Sequence, residues 1–356
     1  MLDRNISDNV NEANSQRKQE HLDIVLNRDV DFRGVSTGLD DYYFIHQALP
    51  EIDLECVDLS TKLFDKKLAA PLIISSMVGG IDRAAELNRN LAIAAQELGL
   101  AMGLGSQRCA IDDPTAISSY QVRDVAPDIL LFANLGAVQL NYGYNVDQCR
   151  RAVDMVQADG LILHLNPLQE TLQPEGNTNF SGLVSKIEKV CSGLKAPVVV
   201  KEVGGGISDN VARMLSNAGV AAIDIAGAGG TSWSEVEKHR ERTQVKENVA
   251  AAFASWGIPT AESIDMVRRG APDITLIASG GVRNGIDVAK AIALNADLAG
   301  IAAPLLRAAS ISAEAVITAL QEIVEELKIT MFCTGTITIE ELKNTPFMER
   351  KTGDLS

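Results

Sequence analysis

The chain has 356 residues, 46% hydrophobic and 22% charged, and is long enough to bury a full-sized core. A formal net charge of −15 opposes general attraction to nucleic acid or to an anionic membrane, so an anionic ligand requires a local basic site. Five cysteines, Cys56, Cys109, Cys149, Cys191 and Cys333, form no CxxC pair or Cys/His cluster, which disfavours a disulfide framework or a zinc site. The polar segment 1–19 has no apolar h-region, and no stretch of about 18 apolar residues would span a bilayer. The expectation is a soluble protein of a reducing, cytoplasmic compartment.

The first forty residues read as polar and irregular apart from one helix over 16–26. From Ala70 onward, apolar runs of strand length alternate with longer amphipathic segments, the pattern of βα units around a parallel sheet. The predicted strands are 71–77, 100–104, 129–134, 160–166, 197–203, 221–226, 274–279 and 298–302. Helices are predicted over Asp82–Leu98, which runs into Gly99, and over 145–158, 182–193, 208–218, 284–295 and 312–328. Ser208 is a natural N-cap and Gly219 a natural stop for the fourth of these. After the sixth strand an insertion, 227–260, carries the charged run 235–247, which suits a lid or partner contact as well as a solvated excursion. Eight such units predict an α/β fold, a closed (β/α)8 TIM barrel over 70–335, with an N-terminal extension over 1–69 and a tail over 336–356.

Residues just past the strand ends of such a barrel face one site, and here they are small, polar or charged. In chain order they are Ser75-Ser76-Met77-Val78-Gly79-Gly80, Gly105-Ser106-Gln107-Arg108, Asn134-Leu135-Gly136 and His164-Leu165-Asn166-Pro167-Leu168-Gln169-Glu170. Then come Lys201-Glu202-Val203-Gly204, Gly227-Ala228-Gly229-Gly230-Thr231, Ser279-Gly280-Gly281-Val282-Arg283 and Ala302-Ala303. Gly280 and Gly281, just ahead of a helix, suit a phosphate cradle because their backbone N–H groups can approach an anion closely. Lys201 ends a buried apolar run, so it must find an anion: a cofactor, or a carboxylate such as Glu202. Glu170, with the amides of Asn166 and Gln169, offers the few oxygen ligands that Mg²⁺ takes, though alone it would read as a solvated loop acid. Arg17, Lys18 and His21 supply a local basic site on the first helix, or else a solvated face of it.

The motifs Arg17-Lys18-x-x-His21, Ser76-Met77-x-Gly79-Gly80, Gly105-Ser106-Gln107-Arg108, Asn134-Leu135-Gly136, His164-x-Asn166-x-x-Gln169-Glu170, Lys201-Glu202-x-Gly204 and Ser279-Gly280-Gly281-x-Arg283 resemble, in order and spacing, those of the type 2 isopentenyl-diphosphate isomerases. The resemblance runs from Arg17 to about Leu306. It implies an enzyme that interconverts isopentenyl and dimethylallyl diphosphates by a 1,3-proton shift, with reduced FMN, NADPH and Mg²⁺, and that assembles as a homotetramer or homo-octamer. By matching positions it implies FMN contacts from Met77, Val78, Gly79, Ser106, Asn134, Lys201, Thr231, Gly280, Gly281, Arg283, Ala302 and Ala303. The diphosphate substrate falls to Arg17, Lys18, His21, Ser106, Gln107, Arg108 and Gln169, and Mg²⁺ to Glu170. Gln169, His164 and Asn166 are the implied catalytic positions. Val78 stands where the family usually has threonine, and Ala303 where a charged residue is frequent.

A rival reading is an FMN-dependent 2-hydroxy-acid oxidase, which would place a histidine and a substrate-binding arginine after the sixth strand. The stretch Gly227-Ala228-Gly229-Gly230-Thr231-Ser232-Trp233 has neither. A flavin- or diphosphate-binding protein without turnover is the third possibility, raised by Val78 and opposed by Gln169, Glu170 and Lys201.

Overall fold

The computed structural model describes residues 2–240 and 243–351, with side chains from Ser15 onward. Eight parallel strands close into a barrel: β1 (Leu72–Ile74), β2 (Ala101–Gly103), β3 (Leu131–Gly136), β4 (Gly160–Leu165), β5 (Val198–Glu202), β6 (Ala222–Asp224), β7 (Thr275–Ser279) and β8 (Leu298–Ile301). Each predicted strand is found, and β8 pairs with β1 to close the ring. The helices, in chain order, are α1 (Leu2–Asn27), α2 (Asp82–Leu98), α3 (Arg108–Asp112), α4 (Val146–Met155), α5 (Pro167–Leu172), α6 (Leu183–Gly193) and α7 (Asp209–Asn217). They continue with α8 (Trp233–Arg240), α9 (Gln244–Ala252), α10 (Thr260–Gly270), α11 (Gly285–Ala293), α12 (Ala303–Ala309), α13 (Ala313–Cys333) and α14 (Ile339–Lys343).

Local chemistry explains the helix ends. α2 stops where Gly99 adopts φ 63°, a left-handed conformation that costs glycine little. Asn145 and Gln148 form a reciprocal capping box on α4, and the Ser208 hydroxyl accepts from Val211 N at the start of α7. α1 departs from the expected 16–26: it begins at Leu2, because no glycine or proline interrupts 1–27 and a polar helix lacks the apolar period that marks one in sequence. α13 runs to Cys333, beyond the expected 328. The insertion after β6 holds two further helices, α8 and α9, with Glu235 and Glu237 of its charged run buried; solvation does not describe that part of it.

Alternate residues of each strand point inward, and they form two layers of opposite character. The lower layer is apolar: Ile73, Ala101, Phe132, Ile162, Val199, Ala222, Ile277 and Leu298. A hairpin, Thr61–Leu63 with Lys66–Leu68, plugs it from below, with Leu63 and Leu68 in the same cluster and Phe64 edge-on to Phe132. Two residues further along each strand the inward positions are Ser75, Gly103, Asn134, His164, Lys201, Asp224, Ser279 and Gly300. This upper layer is polar or glycine throughout, and it forms the floor of the C-terminal mouth.

Two arginine clamps brace the opposite rim. Arg123 donates from Nε to Gln157 O (2.9 Å), from Nη1 to Pro127 O (3.3 Å) and Ile129 O (2.9 Å), and from Nη2 to Asp159 Oδ2 (2.7 Å). Arg268 repeats the set on Asn295 O (2.7 Å), Pro272 O (3.0 Å), Ile274 O (2.6 Å) and Asp297 Oδ2 (2.8 Å). Each aspartate also accepts the N–H of a neighbouring strand, Leu131 or Leu276, at 2.8 Å. Gln157 and Asn295 share a positive φ, 51° and 75°. Charge-assisted bonds of this kind contribute about 1.5–3 kcal/mol each when one partner is removed. Arg268→Met and Arg123→Met should each lower unfolding stability by roughly 2–4 kcal/mol; equilibrium urea denaturation checks this, and losses below 0.5 kcal/mol would deny the clamps their role.

Candidate active site

A cavity of about 540 Å³ opens at the C-terminal mouth, lined by the strand ends, α1 and the start of α8. Of the residues expected at the site, Met77, Val78, Gly79, Ser106, Lys201, Thr231, Gly280, Gly281, Arg283, Ala302 and Ala303 line it, as do Arg17, Lys18, His21, Arg108, His164, Asn166, Gln169 and Glu170. Gln107 and Asn134 do not. Gln107 is fully buried with its amide bonded to the main chain, donating to Ala152 O and accepting from Asn134 N, both at 2.8 Å. It holds the ends of β2 and β3 in place from the far side. Asn134 meets the cavity only through His164, whose Nδ1 lies 2.8 Å from Asn134 Oδ1.

One end of the cavity is rich in donors. Gly280 and Gly281 adopt φ 104° and 72°, where a side chain would strain the backbone. A Cβ on Gly281 would fall 2.4 Å from the Thr37 methyl, so contact excludes one as well. Among the described residues, the N–H groups of Gly280, Gly281 and Val282 meet no acceptor. Three successive free N–H groups make a nest for an anion, and α11 follows, capped by Asn284. Arg283, at its edge, pairs with Asp31 at 2.6 Å.

The floor carries charge. Lys201, 7% exposed, sits 3.2 Å from Asp224 Oδ2 and 3.2 Å from Ser279 Oγ, and the Ser279 hydroxyl donates to Asp224 Oδ1 at 2.5 Å. The carboxylate that the lysine required is therefore Asp224, not Glu202. Glu202 turns back to accept the N–H groups of Val203 (2.6 Å), Gly204 (2.7 Å) and Gly205. Burial raises the Glu202 carboxyl to about 7 despite those three bonds. Burial, with the charges of Lys201 and Lys18, lowers His164 to about 4. At neutral pH it is an uncharged imidazole; with Nδ1–H given to Asn134 Oδ1, Nε2 is its remaining acceptor.

The opposite wall is built from α5. Asn166 Nδ2 donates to Gln169 Oε1 (3.0 Å) and Glu170 Oε1 (3.1 Å); Glu170 Oε2 accepts from Gln173 Nε2 (2.9 Å) and Asn177 N (2.5 Å). Flipping the Asn166 amide would set oxygen against two acceptors, so the network fixes its orientation. Asn166 Oδ1 is thereby left buried without a donor, and the hydroxyls of Ser75 and Ser76, just past the end of β1, are buried without a partner. Buried acceptors are normally satisfied, and these three lie on the cavity wall. Asn166 Oδ1 and the Glu170 carboxylate, whose oxygens each already accept from the protein, are hard ligands of the sort Mg²⁺ takes, though one carboxylate forms no cage by itself. Among the described residues no group of three or more acidic, histidine or cysteine side chains could hold a metal.

α1 closes the top, and its three basic residues have different fates. Lys18 places all three N–H groups on protein oxygens: Gly79 O (2.7 Å), Ser106 O (2.9 Å) and Tyr120 Oη (2.9 Å). His21 Nε2 lies 2.8 Å from Glu237 Oε1, with Trp233 edge-on to its ring. Arg17 makes no ion pair among the described residues; burial and the nearby Arg108 both work against its charge. Two guanidiniums at one rim are the local basic site that the chain's acidity requires, and an anion between them would relieve their repulsion. Glu237 is fully buried; burial opposes its charge, yet His21 and Arg240 keep its carboxyl below the ordinary value. The sequence reading assigned no site role to Trp233 or to Glu237, whose charged run suited a lid or partner contact as well as a solvated excursion. It also missed Gln173, which the recurrence Asn166, Gln169, Gln173 on one helical face would have flagged.

Residues 164–349 match the family model for FMN-dependent dehydrogenases. The chain is 53% identical to the isopentenyl-diphosphate delta-isomerase of a Synechocystis species, over 96% of this chain and 98% of that one. It is 52% identical to the enzyme of that name from a Nostoc species, over 94% and 95%. Among solved structures, a mandelate oxidase variant matches with a TM-score of 0.66 at 18% identity, covering 94% of this chain and 96% of that one. A flavocytochrome b2 variant with pyruvate bound gives 0.67 at 16% identity, covering 94% and 86%. At those identities the solved structures speak for the barrel alone. With near-complete matches at half identity, the chain belongs to the family of isopentenyl-diphosphate delta-isomerases, on the scaffold of the FMN-dependent dehydrogenases.

Proposed function

We propose that this chain interconverts isopentenyl and dimethylallyl diphosphates by a 1,3-proton shift, holding FMN, Mg²⁺ and the diphosphate in the one cavity. NADPH keeps the flavin reduced, and the working form in this reading is a cytoplasmic homotetramer or homo-octamer. The observation that carries the proposal is the identity to relatives of that name along the whole chain. The cavity supports it, with unanswered donors at one end and unanswered oxygens at the other.

The residues fit the two groups. The Gly280–Val282 nest suits the FMN phosphate, with Thr231, Arg283, Ala302 and Ala303 beside it. Met77, Val78 and Gly79 supply the wall of β1, and Lys201 an ammonium at the floor. Val78 O accepts from Gly105 N at 3.2 Å and Asn88 Nδ2 at 3.2 Å, bonds that need no side-chain hydroxyl. Glu170, aided by Asn166 Oδ1, suits Mg²⁺. When bound, reduced FMN supplies acid–base chemistry that the cavity otherwise has little of. Arg17 and Arg108 bind the diphosphate. Lys18 acts on it through Gly79 and Ser106, and His21 is held by Glu237. His164 Nε2 and Gln169 line the pocket as neutral groups that accept or donate a hydrogen bond without adding charge. Leu22, Val25 and Trp233 give the hydrocarbon tail an apolar roof that excludes water.

An oxidase reading lacks its residues. The nearest histidine after β6, His239, is exposed and outside the cavity. Arg240 is engaged by Glu237 at 2.7 Å and Glu20 at 3.1 Å.

Purified protein with FMN, Mg²⁺, NADPH and isopentenyl diphosphate, kept anaerobic, should yield the allylic product by NMR; reduced bound flavin without that signal would sink the isomerase proposal. Glu170→Gln should raise the Mg²⁺ concentration needed for half-maximal activity at least about tenfold and leave the FMN spectrum unchanged, whereas loss of FMN would show the residue misplaced. A third outcome concerns pH. The unfolded chain protonates His164 near the ordinary value and the folded chain only near 4, so between these the unfolded state binds more protons and stability falls as pH falls. Thermal melts of the ligand-free protein should show His164→Gln to be less acid-sensitive than wild type in that window; parallel curves would contradict a neutral His164.

A further inference from the structure

The buried pair at the floor does more than satisfy its own charges. Of the two lysines that line the cavity, Lys18 has every N–H on a protein oxygen, whereas Lys201 donates to Ser279, is ion-paired with Asp224, and still has N–H to offer. Register puts these groups together. His164, Lys201 and Asp224 are direct partners across β4, β5 and β6, so all three point inward at one level. Asp224, 2% exposed, does not itself line the cavity. It stands behind the ammonium, with one oxygen on Lys201 and the other on the Ser279 hydroxyl.

We infer that Asp224 and Ser279 are positioning residues that fix the direction of the Lys201 ammonium and offset its charge, and so set the electron affinity of a flavin in this cavity. The inference rests on the proposed FMN site. A lysine alone would present a full, poorly solvated positive charge to the ring system and favour its reduced, electron-rich form strongly. The carboxylate makes the pair neutral overall and leaves a directed N–H with a weaker field. Ser279 orients Asp224 by donating to it while accepting from Lys201, and the Lys201–Asp224 ion pair closes the triangle. An enzyme whose flavin returns unchanged at the end of each turnover has reason to hold that field at an intermediate strength.

The test is a redox titration of the FMN-loaded protein, alongside sulfite binding to the oxidised flavin, which tracks the same field. Wild-type protein that takes up no FMN, by fluorescence quenching, removes the proposed function and this inference with it. If wild type binds FMN, Asp224→Asn should retain it, shift the midpoint potential to a more positive value and tighten sulfite binding by on the order of tenfold. Lys201→Met should move both readouts the other way. An Asp224→Asn potential equal to wild type, or moved in the Lys201→Met direction, overturns the inference while leaving the FMN site standing. Should Asp224→Asn fail to fold, Asp224→Ser, smaller and still able to accept from Lys201, makes the same comparison. A purely structural role for Asp224 would move stability without moving the potential.

Discussion

A lysine ammonium inside a parallel barrel is the constraint on which the mouth of this molecule depends. Moving such a charge from water into the interior costs several kcal/mol unless it meets an opposite charge with good geometry. The chain meets that demand from two other strands, with Asp224 on β6 and Ser279 at the end of β7. These are consecutive strands of the ring, and the register that sets Lys201 directly beside Asp224 brings the three side chains together. The apolar layer beneath, from Ile73 round to Leu298, excludes water from below and makes the pairing stringent. Removing one partner of a buried pair of this kind costs about 3–5 kcal/mol.

Above that floor, the site is assembled from contacts that reach across the mouth. Lys18 of α1 bonds to carbonyl oxygens at the ends of both the β1 and β2 segments, and His21 bonds to Glu237 of α8. Arg240 extends the chain of charges to Glu20 of α1 and Glu175 beyond α5. The N-terminal extension and the β6 insertion are thus two sides of one roof. Its His21–Glu237–Arg240 seam is largely buried, and its inner face presents Leu22, Val25 and Trp233.

Much of this was legible in the sequence, and the divide has a physical basis. Strand positions followed from short apolar runs between glycines, and the strand-end rule collected most of the cavity wall. Whether a polar residue faces the ligand or the main chain is decided by tertiary neighbours. Gln107 and Arg108 are adjacent in sequence, yet one amide is locked onto Ala152 and Asn134 while the other side chain lines the cavity. Lys18 read as a ligand for an anion, but its bonds go to the Gly79 and Ser106 carbonyls and the Tyr120 hydroxyl. Whether Glu237 was buried or solvated stayed open in the sequence because its partners, His21 and Arg240, include one more than two hundred residues away. The excess length of α1 went unseen because polar helices carry no apolar period.

The paired arginine clamps also repeat in sequence. Around Arg123 the sequence runs Val-Arg-x-x-Ala-Pro-Asp-Ile, and around Arg268 it does so again; each is followed by a residue of positive φ, then Ala-Asp, then a strand. The two copies brace β3–β4 and β7–β8, which lie on opposite sides of the eight-strand ring. Sequence and geometry therefore repeat together across the two halves of the barrel. The ends of β3 and β7 are equivalent places in these two halves, yet one carries Asn134, bonded to His164 of β4, and the other the Gly280–Val282 nest. The same brace thus carries a neutral imidazole on one side of the mouth and an anion nest on the other, so the asymmetry of the cavity lies above the braces and not in them.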